Sequence, residues 1–279
     1  MNISTKQASI QTVEAEAIII NLFQDVTAPG GATGVVDKAL GGAISELIES
    51  GDLRGKKGET AVLYPRGAIP ARRVIVVGLG KQADFGLEAV REAAAVAIKQ
   101  AKKLGLKKSV ASLVHGGGIG GLEIGEAAQA VVEGSMLALY HYDAPRAKKK
   151  EEDEEDQPIE SLTLVEFDET KIEAIEAGAR AGQIIAESVY LARDLVNRPS
   201  NVLTPTTLAE AAQAMCAEVG LTCRVLDEAD MAAEQMNLLL AVTKGAAEPA
   251  KLIVMEHTPL AEAQPIVLVG KGVTFDTGG

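Results

Sequence analysis

Tryptophan is absent from the chain, and aromatic residues make up only 3% of its 279 positions, so the core must be built from Ala, Val, Ile and Leu. Scarce aromatics argue against a nucleic-acid surface that works by base stacking. Cysteine is nearly absent too. Cys216 and Cys223 form no CxxC or His-paired pattern, and read as small buried hydrophobes in a reducing compartment. Positive charge is in deficit: the formal net charge is −12. Such a surface repels phosphate backbones, which makes nucleic acid a poor partner. No apolar run approaches the ~18 residues that a membrane-spanning helix needs. The opening stretch MNISTKQASIQ lacks the basic-then-apolar order of a secretory signal. From these features a cytoplasmic protein is expected.

Several catalytic signatures are also missing. No phosphate loop exists, because Lys271 follows Gly270 but precedes another glycine. HGGG at 115–118 resembles an oxyanion-hole loop, but no G-x-S-x-G nucleophile elbow accompanies it. GLGKQA at 78–83 fits a dinucleotide fingerprint. The acid expected about twenty residues later is replaced by a basic helix end, so a tight turn is the better reading. His115, His141 and His257 have no metal-type spacing and read as strand-end or core histidines.

What is present is strand–helix alternation. Apolar runs at 14–23, 72–80 and 109–118 predict buried strands. Helical spacing predicts helices over 35–50, 86–105 and 120–142. This alternation implies an α/β fold with a largely buried sheet. At 146–158, RAKKKEEDEEDQP cannot bury itself and predicts an exposed connection. SLTLVEF at 161–167 then reads as the last strand of a first domain, residues 1–168. A long helix over 169–195 opens a second domain, 169–279. Thr204-Pro205 supplies the cap and first residue of the next helix. Strands are expected at 221–227, 238–245, 251–257 and 265–272.

PIVLVGKGVTFDTGG, residues 265–279, delivers Lys271 and then Asp276. One reading is a strand-end lysine and an Asp-Thr-Gly-Gly turn. The other is a pair of metal ligands. A carboxylate suits hard or borderline dications. A lysine coordinates only as the neutral amine, and deprotonating it at pH 7 costs about 4.6 kcal/mol. A dication can offset that cost, being the largest local charge.

The segment VLVGKGVTFDTGG resembles the metal-site signature of the leucyl aminopeptidase (M17 cytosol aminopeptidase) family. LARDLVNRPSNVLTPTTLAE (191–210), MNLLLAVTKGAAEPAKLIVMEH (236–257) and EGSMLALYHYDAPRAKKK (133–150) resemble other parts of the same family. The resemblance implies an N-terminal macro-like α/β domain followed by the beginning of a catalytic domain. It implies that Lys271 ligates one of two divalent ions, Mn²⁺ or Zn²⁺, and that Asp276 bridges both. Metal-activated water would then remove N-terminal amino acids, leucine among them, from peptides. Family members assemble as hexamers. Asn237 and Ala246 stand where relatives commonly carry glycine and serine. The family's other ligands and catalytic groups have no position in these 279 residues, so the chain is expected to be an incomplete N-terminal portion, inactive alone. The competing expectation is a non-catalytic macro-like module binding a nucleotide or DNA, motivated by the glycine-rich turns at 78–80 and 116–121.

Overall fold

A computed structural model describes residues 1–116, 120–142, 158–260 and 262–274. They divide into two compact units, Met1–Leu191 and Ala192–Gly279. The first unit is built on a six-stranded sheet. Its strands are β1 (Asn2–Gln7), β2 (Ala17–Leu22), β3 (Thr60–Leu63), β4 (Val74–Gly78), β5 (Ser109–Leu113) and β6 (Ser161–Glu166). The order across the sheet is β1-β6-β5-β2-β4-β3, with every pairing parallel except β3 with β4. This is the α/β architecture expected from the strand–helix alternation.

The apolar runs are continuous because the central strands are covered on both faces. In β2, Ala17 and Ile19 join one core while Ile18, Ile20 and Leu22 join the other. β4 splits the same way: Ile75 and Val77 against Val74 and Val76. The first face is covered by α3 (Leu87–Lys103), α4 (Ile124–Ala138) and the buried stripe of α5 (Ile172–Asn197). The second is covered by α1 (Gly31–Ala39) and α2 (Ala43–Ser50), through Val36 and Ile44.

Local chemistry sets the breaks. The single helix expected over 35–50 is two, because Gly41 and Gly42 take φ of 67° and 92° and end α1. Asp37, buried in α1, then caps α2: its carboxylate accepts the Ile44 and Ser45 N–H groups at 2.7 and 3.0 Å and the Ser45 hydroxyl at 2.6 Å. α4 and α5 cross through glycines. A methyl placed on Gly182 would lie 2.6 Å from the Gln129 carbonyl oxygen, and one on Gly178 would fall against the Gly125 carbonyl. α4 also meets α3 through a nearly buried carboxylate: Arg91 Nε donates to Glu133 at 2.5 Å, and Gln129 donates to Glu133 at 2.6 Å. The charged connection expected at 146–158 lies, apart from its last residue, outside the described residues.

The second unit holds α6 (Pro205–Val219), β7 (Thr222–Leu226), α7 (Glu228–Ala233), α8 (Asn237–Thr243) and β8 (Leu252–Glu256). β7 and β8 pair antiparallel. Two expectations fail here. Residues 238–243 lie in helix α8 and 244–245 in the turn after it, so no strand forms there. Leu239 and Leu240 pack on the cluster around Met231, while Leu238 and Val242 face solvent, which is helical spacing. A short apolar run cannot separate the two readings. Residues 265–272 form no strand either: no described strand pairs with them, and Ile266, Leu268 and Val269 are more than nine-tenths exposed.

Candidate functional site

The segment expected to carry the metal chemistry follows β8. Lys271 lies in it without regular secondary structure, and its side chain is exposed. Asp276 lies outside the described residues. Among the described residues no group of three or more His, Cys, Asp or Glu side chains is gathered in a way that could hold a metal ion. Lysine amine and aspartate carboxylate are donors of the right chemical type for a borderline dication. Two donors fall short of the four that one tetrahedral zinc requires, and further short for two ions.

What precedes this segment is firmly specified. Thr204 accepts the Thr207 N–H at 3.3 Å, and the Thr207 hydroxyl accepts the Thr204 N–H at 2.8 Å, closing a reciprocal cap with Pro205 as the first helical residue. Asp227 caps α7 in the same way, accepting from Ala229 and Asp230 at 2.9 and 3.1 Å. Their neighbouring backbone donors hold the Asp227 carboxyl below its ordinary value. Glu228 reaches forward and accepts the Ala250 N–H at 3.1 Å, which ties the entry to β8 onto α7. Cys216, at the end of α6, is buried, and Cys223 in β7 is half-buried; both are free thiols.

The other sequence candidates sit apart from this segment. GLGKQA is a tight turn after β4, with Gly80 at φ 77°. His257 is exposed beyond the end of β8. His115 follows β5, is wholly buried, and meets the Asn21 amide nitrogen at 3.0 Å through Nδ1. Burial without a charge partner pushes its pKa down to about 4, so the ring is neutral at pH 7. Residues 117–118 of the HGGG stretch lie outside the described residues.

Sequence reasoning missed a cleft of about 770 Å³ in the first unit, at the carboxyl ends of the parallel strands. Its walls come from segments more than a hundred residues apart in sequence, such as Asn21 and Glu166. The available signal was Gly30-Gly31 shortly after the apolar run of β2, placing a glycine-rich helix start at a strand end.

Comparison with known proteins agrees with this architecture. Residues 19–149 match the N-terminal domain of the cytosol aminopeptidase family, and residues 190–279 match that family's catalytic domain. The chain belongs to the cytosol aminopeptidase family. It is 39% identical over 245 residues to the "Probable cytosol aminopeptidase" of Acidobacterium capsulatum, covering 87% of this chain and 47% of that protein. It is 34% identical to the protein of the same description from Alkaliphilus oremlandii, covering 100% of this chain and 55% of the relative. The chain therefore spans about half the length of the curated relatives it matches. Among solved structures, a tomato leucine aminopeptidase mutant, K354E, superposes with a TM-score of 0.80 at 25% identity, over 99% of this chain and 55% of that one. The bottromycin maturation enzyme BotP in complex with Mn shares the fold, with a TM-score of 0.67 at 24% identity over 88% of this chain and 46% of that one. Among the described residues no helix is long and apolar enough to cross a membrane.

Proposed function

We propose that this chain contributes the N-terminal unit and the first metal-ligating segment of a cytoplasmic metal-dependent aminopeptidase, one that releases leucine and similar residues from peptides with a free N-terminus. The observation that carries the reading is the order of the two matches along one chain: N-terminal domain, then catalytic domain. The likeness to a leucine aminopeptidase over nearly the whole chain supports it. In this reading Lys271 would offer a neutral amine and Asp276 a carboxylate to the two divalent ions, Mn²⁺ or Zn²⁺, that the family resemblance implies. Such ions, when bound, activate water and polarise the scissile carbonyl. The working assembly is a homo-hexamer, as the family resemblance implies.

Lys271 and Asp276 by themselves make too few bonds to fix two ions, so these 279 residues alone do not catalyse the reaction. The test has two arms. The protein isolated from its own source is assayed for release of leucine from leucine p-nitroanilide with Mn²⁺ and with chelator. Activity is expected to need the metal and to fall at least about hundredfold in Lys271→Ala or Asp276→Ala, as loss of a ligand predicts. Metal-independent activity, or full activity in both variants, refutes the assignment of ligands. The 279-residue chain assayed in parallel is expected to release none. Turnover by it would overturn the argument from donor number.

A further inference from the structure

We infer that Cys216 and Cys223 form a reversible modification site, a dithiol that a low-molecular-weight disulfide such as oxidised glutathione closes to an intramolecular disulfide. The inference does not depend on the aminopeptidase reading. Cys223 follows Cys216 by seven positions, a spacing that carries no redox motif, and it is the fold that brings the two together. Cys216 stands in the last turn of α6, and Cys223 is the second residue of β7. Between them the chain reverses at Gly220, whose φ of 76° and ψ of 30° are the left-handed conformation glycine adopts without strain. The Cys216 carbonyl accepts the Leu221 N–H at 2.8 Å across that glycine, and the Gly220 N–H as well. This closure fixes both the helix end and the direction in which β7 leaves it. The reversal is anchored on Cys216 itself.

α6 then packs on β7. Side chains alternate along the strand: Thr222 and Arg224 face solvent, while Cys223 and Val225 are half-buried. The alternation turns Cys223 toward the helix that carries Cys216, and the two thiols meet. Burial, and then a hydrogen bond with the Cys216 thiol, hold the Cys223 thiol above its ordinary value. Both thiols are free. Their exposure differs. Cys216 is 1% exposed, so a dissolved oxidant does not reach it. Cys223 pairs across the ladder with Met255, which is 51% exposed, so the face around Cys223 opens to solvent. One reachable thiol beside one buried thiol is the arrangement of an attacking and a resolving cysteine. A thiol held above its ordinary value is not stabilised as thiolate, so the reduced pair lacks the feature that makes some protein disulfides strongly oxidising.

The exchange balances in two steps. Cys223 loses its proton, and its sulfur attacks one sulfur of oxidised glutathione, breaking that S–S bond and releasing one glutathione thiolate. The Cys216 sulfur, once deprotonated, attacks the Cys223 sulfur of the mixed disulfide, forms the Cys216–Cys223 bond and releases the second glutathione thiolate. Two protein thiols are oxidised, one glutathione disulfide is reduced, and the two protons pass to the two released thiolates. Sulfurs already in contact reach a bond of about 2.05 Å by small side-chain rotations. Excess reduced glutathione runs the same steps backwards. Cytosolic disulfides are typically transient in this way. The bond clamps the last turn of α6 to the start of β7, across the reversal that the Cys216 carbonyl already holds.

The test is incubation of the folded 279-residue chain with oxidised and reduced glutathione at set ratios, followed by acid quench and mass analysis of the intact chain and its peptides. Both thiols are expected to disappear together, with a mass loss of about 2 Da and a peptide linked between Cys216 and Cys223. The glutathione adduct is expected to stay below about a tenth of the chain, because the second step is intramolecular. Cys216→Ala keeps a small apolar side chain in the buried position and removes the resolving thiol, so the adduct on Cys223 should rise at least about fivefold. Cys223→Ser, at the half-buried position, should leave Cys216 reacting at least about tenfold more slowly than Cys223 does in Cys216→Ala. The result on the native chain stands by itself if a variant fails to fold. Glutathione adduct accumulating on the native chain, disulfide-linked dimers, Cys216 reacting before Cys223, or two thiols that persist under about hundredfold excess of oxidised over reduced glutathione would each overturn the inference.

Discussion

Gly182→Ala should destabilise the first unit, although helix propensity alone predicts the reverse. Gly182 is buried in α5 against α4. Replacing an interior helix glycine by alanine gains about 1 kcal/mol where nothing opposes the methyl. Here the methyl would sit 2.6 Å from the Gln129 carbonyl oxygen and 3.1 Å from Val132 Cβ. Ordinary contact begins near 3.4 Å, so the first approach is short by roughly 0.8 Å. The opposing atom belongs to backbone and cannot swing aside. α5 must therefore shift away, loosening the packing of buried Ile175, Ala179 and Ala186. Overpacking of this kind costs about 1–3 kcal/mol. Net of the propensity gain, Gly182→Ala should cost about 1 kcal/mol. Gly178→Ala, whose methyl would fall closer still on the Gly125 carbonyl, should cost about 2 kcal/mol net of the same gain. Exposed Ala177→Gly in the same helix measures the propensity term by itself, about 1 kcal/mol of destabilisation. Urea unfolding followed by far-ultraviolet circular dichroism gives all three. If Gly182→Ala and Gly178→Ala both stabilise, the close helix crossing is wrong.

Asp37→Ala should cost about 1–3 kcal/mol in the same assay, since it strands two α2 N–H donors and the Ser45 hydroxyl; a loss below about 0.5 kcal/mol would show that water replaces the cap. His115 makes stability depend on pH. Its folded pKa is about 4, against 6.5 unfolded, so as pH falls the unfolded chain takes up a proton first. Stability unchanged above pH 6.5 should decline between pH 6.5 and about 4, by up to about 3 kcal/mol. Comparing urea midpoints at pH 7 and 5 between the native chain and His115→Asn isolates the effect, and equal slopes would exclude it.

The strands of the first unit that carry continuous apolar runs were legible because both faces are buried, which leaves nothing polar to interrupt them. β1 was not. NISTKQ alternates polar residues on a half-exposed edge and is a strand only because it pairs in register with β6, more than 150 residues later. Thr204-Pro205 was legible because a cap is local chemistry. The break at Gly41-Gly42 was present in the letters but was outweighed by the apolar spacing on either side. α8 was misread because LLLAVT satisfies both periods until one face meets Met231. Lys271 and Asp276 stand out by the chemical oddity of a lysine ligand, which needs no fold to be noticed. The cleft needs the whole sheet order before its walls meet.

The second unit shows why chemical legibility and structural definition separate. A capping box closes within four residues and forms wherever its own atoms are present. A strand cannot, because each of its N–H and C=O groups needs a partner on another strand. Ile266–Val269 is as apolar as β4, yet β4 is wholly buried between β2 and β3, whereas 266–269 is exposed and unpaired among the described residues. Lys271 follows that run after Gly270, itself outside any regular element, so its amine has no rigid element to aim it. A metal centre depends on ligands held to within fractions of an ångström by packed neighbours. The signature at 271–276 therefore specifies which atoms would touch an ion, and the geometry that makes them a site must come from pairing that these described residues do not themselves supply.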